Sequence, residues 1–298
     1  MKKISAILIA LCCGLQLFAA QTPMLVSTAW VEAHKNDPGV VLLQVSQNRK
    51  DFLNGHIAGA RFLWWQYLAP STPDESTTLP PLDEAKNRLE ELGVSNASRV
   101  ILYGSPGMVT LLTRMYVTFE YLGLGWNVSI MNGGMDAWKA EKRAVSTEPI
   151  PTVARGSVAF KVNHAVTVDV EWVKSNLKNS AVNIVDARAK QAYDGTPGST
   201  QKSGHILGAK NVAYANMVDS LNCFKQPDTL KKYFADAGVN ANSKVVTYCW
   251  VGQQATTTYF AARLAGYNAV VFDGSLDIWS AMDDSYPVEQ TPPAPKSK

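Results

Sequence analysis

Apolar positions along the chain gather into short runs separated by stretches of helical spacing, and this alternation occurs twice. Val41 to Val45 and Val182 to Val185 are runs of the kind that buried strands make. Ahead of each lies an amphipathic stretch opened by a polar residue, Ser27-Thr28-Ala29-Trp30-Val31 and Asp169-Val170-Glu171-Trp172-Val173. The side chains of Ser27 and Asp169 suit the free amides at a helix start, so each predicts an N-cap. Val245 to Tyr248 predicts another strand, Trp250-Val251-Gly252-Gln253-Gln254 a short loop after Cys249, and Ala255 to Ala265 a helix. Strands alternating with helices imply an α/β fold, each unit a mainly parallel sheet flanked by helices.

The pattern is an internal repeat. NGHIAGARFL (54–63) matches SGHILGAKNV (203–212), and ELGVSNASRVILYG (91–104) matches DAGVNANSKVVTYC (236–249). NGGMDAW (132–138) matches DGSLDIW (273–279). Two tandem domains follow, 24–145 and 165–290. Pro149, Pro151 and the polar stretch to His164 form a linker over 146–164. The halves differ at one position that matters chemically: Tyr248-Cys249 in the second faces Tyr103-Gly104 in the first. No cysteine occurs in residues 21–150, and Pro106 removes an amide from the loop Ser105-Pro106-Gly107.

Composition narrows the class without naming a function. A chain of 298 residues suits two ordinary domains, and 46% apolar with 18% charged residues fits a globular protein with ample core. A formal charge of +3 gives no case for nucleic acid. Lys2 and Lys3 precede an apolar stretch from Ile4 to Ala20 that ends in small residues, the form of a secretory signal peptide over 1–20. An uncleaved anchor and a lipoprotein compete with that reading. The run is short for a span and lacks a basic flank, and Leu11 precedes Cys12 where a lipoprotein wants a small residue. The expectation is cleavage and export to a bacterial periplasm or beyond, with no stable membrane insertion. The Pro/Lys-rich tail 291–298 reads as disordered. The mature chain then keeps two cysteines, Cys223 and Cys249, which can pair in an oxidising compartment or stay free.

Cys249 is the candidate nucleophile. A thiol at a strand end facing a helix N-terminus sits where backbone N–H groups converge, which favours thiolate over thiol. The bland reading is a small buried apolar residue, and position alone does not separate the two.

The run from Cys249 to Trp279, with VNIVDAR (182–188) and SGHILGAKNV, resembles the rhodanese (sulfurtransferase) family. The repeat carries that resemblance across the mature chain. It implies two rhodanese-like domains, the second catalytic and the first structural, walling one side of the cleft. The implied activity moves a sulfane sulfur from a small donor to a thiophilic acceptor (thiol, cyanide or protein) through a persulfide on Cys249, without a cofactor. Amides of residues 250 to 254 would cradle the sulfur, with Gly252 permitting the turn. Trp250 would shield the persulfide or pack on the other domain. Asp186 and Arg188 match the family's D-x-R and are expected to form a structural ion pair. Ser275 is either a donor to the sulfur or a turn residue. His56 and His205, duplicated in both halves, point to a fold role. The four histidines and two mature cysteines show no metal-ligand spacing.

Two departures bear on substrate. Cysteine phosphatases clamp phosphate with an arginine six positions after the nucleophile, where this chain has Ala255. Thiosulfate-using relatives hold the donor's anionic end with a base in the loop and another before the aromatic residue that follows D-x-R. Here the loop has Trp250 and Val251, and Ala192 precedes Tyr193. Lys190 and Lys202 are the candidates to compensate, and a less charged donor such as a polysulfide or protein persulfide becomes the competing expectation. A non-catalytic sulfur carrier or binding module, and a Cys223/Cys249 redox pair, are the alternatives to catalysis.

Overall fold

The computed structural model describes residues 22–73, 75–149, 152–198 and 200–291. The expected leader, and the expected tail beyond residue 291, lie outside the described residues. The first half runs β1 (Leu25–Val26), α1 (Thr28–His34), β2 (Val40–Ser46), α2 (Arg49–Leu53), β3 (Arg61–Trp64), α3 (Leu82–Glu91), β4 (Arg99–Gly104), α4 (Val109–Tyr121), β5 (Val128–Met131) and α5 (Gly134–Ala140). The second runs β6 (Thr167–Val168), α6 (Val170–Ser175), β7 (Val182–Asp186), α7 (Lys190–Asp194), β8 (His205–Ile206), β9 (Lys210–Asn211), α8 (Pro227–Asp236), β10 (Lys244–Tyr248), α9 (Gln253–Leu264), β11 (Ala269–Phe272), α10 (Ser275–Ala281) and β12 (Val288–Glu289).

Both halves build the same parallel sheet, ordered β1-β5-β4-β2-β3 and β6-β11-β10-β7-β9. The fold is therefore α/β with two tandem units, as the alternation predicts. Ser27 and Asp169 cap their helices, accepting from the amides of Trp30 at 3.0 Å and Trp172 at 2.8 Å. Strand register corrects the sequence alignment by one residue: Arg99 pairs with Val40 and Lys244 with Val182, so Val40, not Val41, corresponds to Val182. Gln44 then stands where Asp186 does, and Ser46 where Arg188 does. The first half thus lacks the D-x-R pair as well as the cysteine.

Each sheet is buried on both faces, which is why its strands read as continuous apolar runs. Val41, Leu43 and Val45 join one core, while Leu42 and Ile101 face another with Phe52 and Trp138. The first of these cores continues into the second half through Val185, Val245, Phe260 and Val271. Helices α4 and α9 are buried almost all round because they pack on each other. Thr113 Oγ1 lies 2.8 Å from Thr256 Oγ1, and the Tyr116 and Phe260 rings meet edge to face at 4.8 Å. The described part of the connecting segment is pinned along the first half: the Gly156 amide donates to Glu90 O at 2.8 Å and Asn96 Nδ2 to Ala159 O at 2.9 Å.

Candidate active site

Strand β10 ends at Tyr248 and delivers Cys249 to the mouth of the second sheet. Tyr248 is itself anchored, its hydroxyl accepting from the Ile206 amide at 3.0 Å, and Tyr103 repeats the contact with Ile57 at 3.2 Å. His205 and His56 serve that same segment. Their Nδ1 atoms lie 2.8 Å from Tyr193 O and 3.0 Å from Phe52 O, and each ring stacks on the aromatic residue it bonds.

The chain after Cys249 is clamped onto the start of α10. The Cys249 amide donates to Ser275 Oγ at 3.2 Å, the Cys249 carbonyl accepts from Leu276 N at 3.1 Å, and Trp250 O accepts from Asp277 N at 3.0 Å. Ser275 Oγ donates in turn to Phe272 O at 3.0 Å. Of the two roles expected for Ser275, the contacts are those of a turn residue that holds the cysteine's backbone. Gly252, at φ +88°, turns the chain into α9. A Cβ there would stand 2.9 Å from Asp273 O and 3.3 Å from an Arg114 guanidinium nitrogen, so the position has no room for a side chain.

The amides of Ala255, Val251 and Gly252 act on the Cys249 thiol, each pulling its pKa down. Helix α9 begins at Gln253, so Gln253 and Gln254 belong to its first turn rather than the loop, and Ala255 joins the cradle. The Gln254 Oε1 is buried without a partner. Cys249 is only 1% exposed. Burial pushes its thiol above the ordinary range, and although the three amides pull the other way, burial prevails. This reverses the expected preference for thiolate, because the sulfur has lost water from every side.

Asp186 and Arg188 are both buried and form a fork. Arg188 Nε reaches Asp186 Oδ1 at 3.0 Å and Oδ2 at 3.1 Å, while Nη2 reaches Oδ2 at 2.5 Å and Gly204 O at 2.6 Å. Arg188 Nη1 is buried with no partner among the described residues. Trp250 lies over this guanidinium at 4.3 Å and packs against Gly198, so it covers its own domain instead of docking on the other. Neither lysine compensates for the missing bases. Lys190 pairs with Asp194 at 2.5 Å, and Lys202 Nζ donates to Met282 O and Asp283 O at 2.9 Å.

The first half does wall the site, through residues the sequence did not single out. Thr77 Oγ1 donates to Val251 O, and the buried Arg114 forms an ion pair with Asp273 beside Gly252. Glu75 faces Asp273, Arg114 and Asp277; burial first and then Asp273 raise its pKa. The Thr77–Val251 and Arg114–Asp273 contacts join residues more than 150 positions apart and leave no local signal. The reciprocal mouth, at Gly104, is covered by the second half: Phe224 N donates to Asn132 Oδ1 and Asn222 Nδ2 to Asp136 Oδ2, both at 2.8 Å. Cys223 lies on that covering segment over Gly133, at the other mouth, and both thiols are free. The redox pairing has no support from this arrangement.

A family model described as a rhodanese-like domain matches the chain twice, over residues 27–141 and 169–282. The chain is 31% identical over 275 residues to the sulfur carrier protein TtuD of Thermus thermophilus, covering 87% of this chain and 94% of that one. It is 27% identical over 271 residues to a thiosulfate sulfurtransferase of Azotobacter vinelandii, covering 91% and 98%. Among solved structures, SseA of Escherichia coli, described as a 3-mercaptopyruvate sulfotransferase, superposes with a TM-score of 0.76 at 25% identity, over 85% of this chain and 99% of its own. The two matched domains and their shared sheet order have one reading: this chain belongs to the rhodanese family.

Proposed function

We propose that this rhodanese-family sulfurtransferase carries sulfur on Cys249, with thiosulfate, a polysulfide or a similar sulfane compound as donor. In the first half-reaction the Cys249 thiolate attacks the donor's outer sulfur. A new S–S bond forms, and the donor's S–S bond breaks with its electron pair leaving on sulfite or the shortened polysulfide. In the second, a thiolate, cyanide or protein acceptor attacks the outer persulfide sulfur, and the cysteine leaves as thiolate. Such two-step covalent transfer needs a nucleophile and a cradle for anionic sulfur. The observation that carries the reading is a buried cysteine at the end of β10, before the Gly252 turn into α9, whose counterpart in the other half is Gly104.

Donor choice leans towards the less charged sulfane compounds. No lysine or arginine occupies the loop, and Lys190 and Lys202 are engaged elsewhere. Arg188 is near enough for its charge to act on Cys249, and its Nη1, unpartnered among the described residues, is one N–H that can receive an anionic donor end. The likeness to a sulfur carrier protein favours a second reading, in which the persulfide passes to a protein acceptor rather than a small one. Export rests on Lys2, Lys3 and the apolar run to Ala20. Incubating the signal-free protein with thiosulfate or polysulfide and weighing it intact tests the function: a gain of about 32 Da that Cys249→Ser abolishes is expected. No gain from either donor would remove the reading.

A further inference from the structure

The amide of Gly252 and the carbonyl of Val251 are two ends of one peptide plane. The peptide is trans, so with its C=O end accepting from Thr77 Oγ1 of the other half its N–H end points the opposite way, on the side where it lowers the pKa of the Cys249 thiol. We infer that Thr77 is a positioning residue for sulfur transfer: its hydroxyl fixes and polarises the Val251–Gly252 peptide so that the Gly252 amide faces the sulfur. This rests on the reading of Cys249 as the persulfide carrier.

Three observations support the assignment. Gly252 follows in the left-handed region, next to a residue free to turn, so the preceding plane needs an external hold to keep one orientation. Thr77 itself adopts φ +56° while 2% exposed, a backbone region that β-branched residues rarely occupy and that persists where the surroundings impose it. The reciprocal mouth supplies the contrast. There Asn222 takes the equivalent φ of +57°, yet its side chain bonds Asp136, and among the described residues it makes no bond to the carbonyls of the Ser105–Pro106–Gly107 loop. Among the described residues, a side chain of the other half holds a loop carbonyl where the cysteine is and not where it is absent. A hydrogen bond at the carbonyl end also strengthens the amide as a donor, because bonded groups in series polarise one another. Catalytic incompetence of the first half is thus compatible with its supplying a group the reaction uses.

The test compares Thr77→Val, which keeps the β-branch and removes the hydroxyl, with Thr77→Ser, which restores it. Two readouts are taken: steady-state sulfur transfer, and the pH midpoint of Cys249 ionisation from ultraviolet thiolate absorbance with Cys249→Ser as blank. In Thr77→Val, kcat is expected to fall about tenfold with donor KM within about twofold, a fraction of what removing a whole anion-stabilising donor costs. The thiolate midpoint moves up by roughly one pH unit, the size of one weakened hydrogen bond. Thr77→Ser recovers both. Unchanged kcat and midpoint in Thr77→Val would overturn the inference, and so would a Thr77→Ser protein as impaired as Thr77→Val. If the parent protein forms no persulfide, the function proposed for Cys249 falls and this inference with it, whereas an unmoved midpoint beside normal transfer removes the inference alone.

Discussion

Cys249 sits under two opposed influences, loss of water around the sulfur and three amides acting on it, and the first is the larger. The sign has a kinetic consequence. A thiol raised by burial stays protonated through neutral pH, so persulfide formation in a single turnover should climb as pH rises past the ordinary thiol range. A rate already level near neutrality would contradict the burial account. The residue itself was legible from its order after a strand and from the motifs around it. The sense of its pKa was not, since exposure depends on chain segments far away: Thr77 and Arg114 come from the other half. Asp186 and Arg188 were legible as a pair through their match to the D-x-R of the family they resemble. That Arg188 keeps an unpartnered N–H under Trp250 required the fork's geometry.

Between elements, the α4–α9 contact ties the two halves. Tyr116 and Phe260 meet there edge to face, and Glu120 accepts from Tyr259 at 2.6 Å and from Arg263 at 3.3 Å. Phe260 is fully buried at this seam. Phe260→Ala should cost about 3–5 kcal/mol, as a cavity left by a buried aromatic ring does. Because one core spans both halves, the loss should appear in one cooperative urea transition shifted to lower concentration. Two separated transitions, with only one moved, would contradict the shared core. Strand and helix identities were readable from apolar runs and caps. The β2–β7 correspondence was off by one because both faces of these strands are apolar, so neither run announces its phase. The start of α9 was set two residues late because Gln253 and Gln254 are polar and carry no loop or helix signature of their own.

For the molecule as a whole, the two sheets with identical strand order present one cysteine-bearing mouth and one without, each covered by a segment of the other half. Duplication was visible in the sequence; the exchange of covering segments was not, because nothing local to residues 71–78 or 218–226 says which neighbour they cross. On the proposed function, charge around the working mouth sets the donor. A base introduced as Val251→Lys should raise thiosulfate kcat/KM by roughly tenfold or more, given that a charge-assisted hydrogen bond contributes about 1.5–3 kcal/mol. Polysulfide turnover should change little, and an unaltered thiosulfate rate would remove the missing cation as the cause of donor preference. On this reading all transferred sulfur passes through one thiol, Cys249. Sulfane-labelled donor, with the label mapped by peptide mass and then chased with thiol or cyanide, tests it most directly. The account predicts one labelled sulfur per chain, on Cys249, released wholly to the acceptor; label on Cys223, or acceptor product formed by the Cys249→Ser protein at the parent rate, would contradict it.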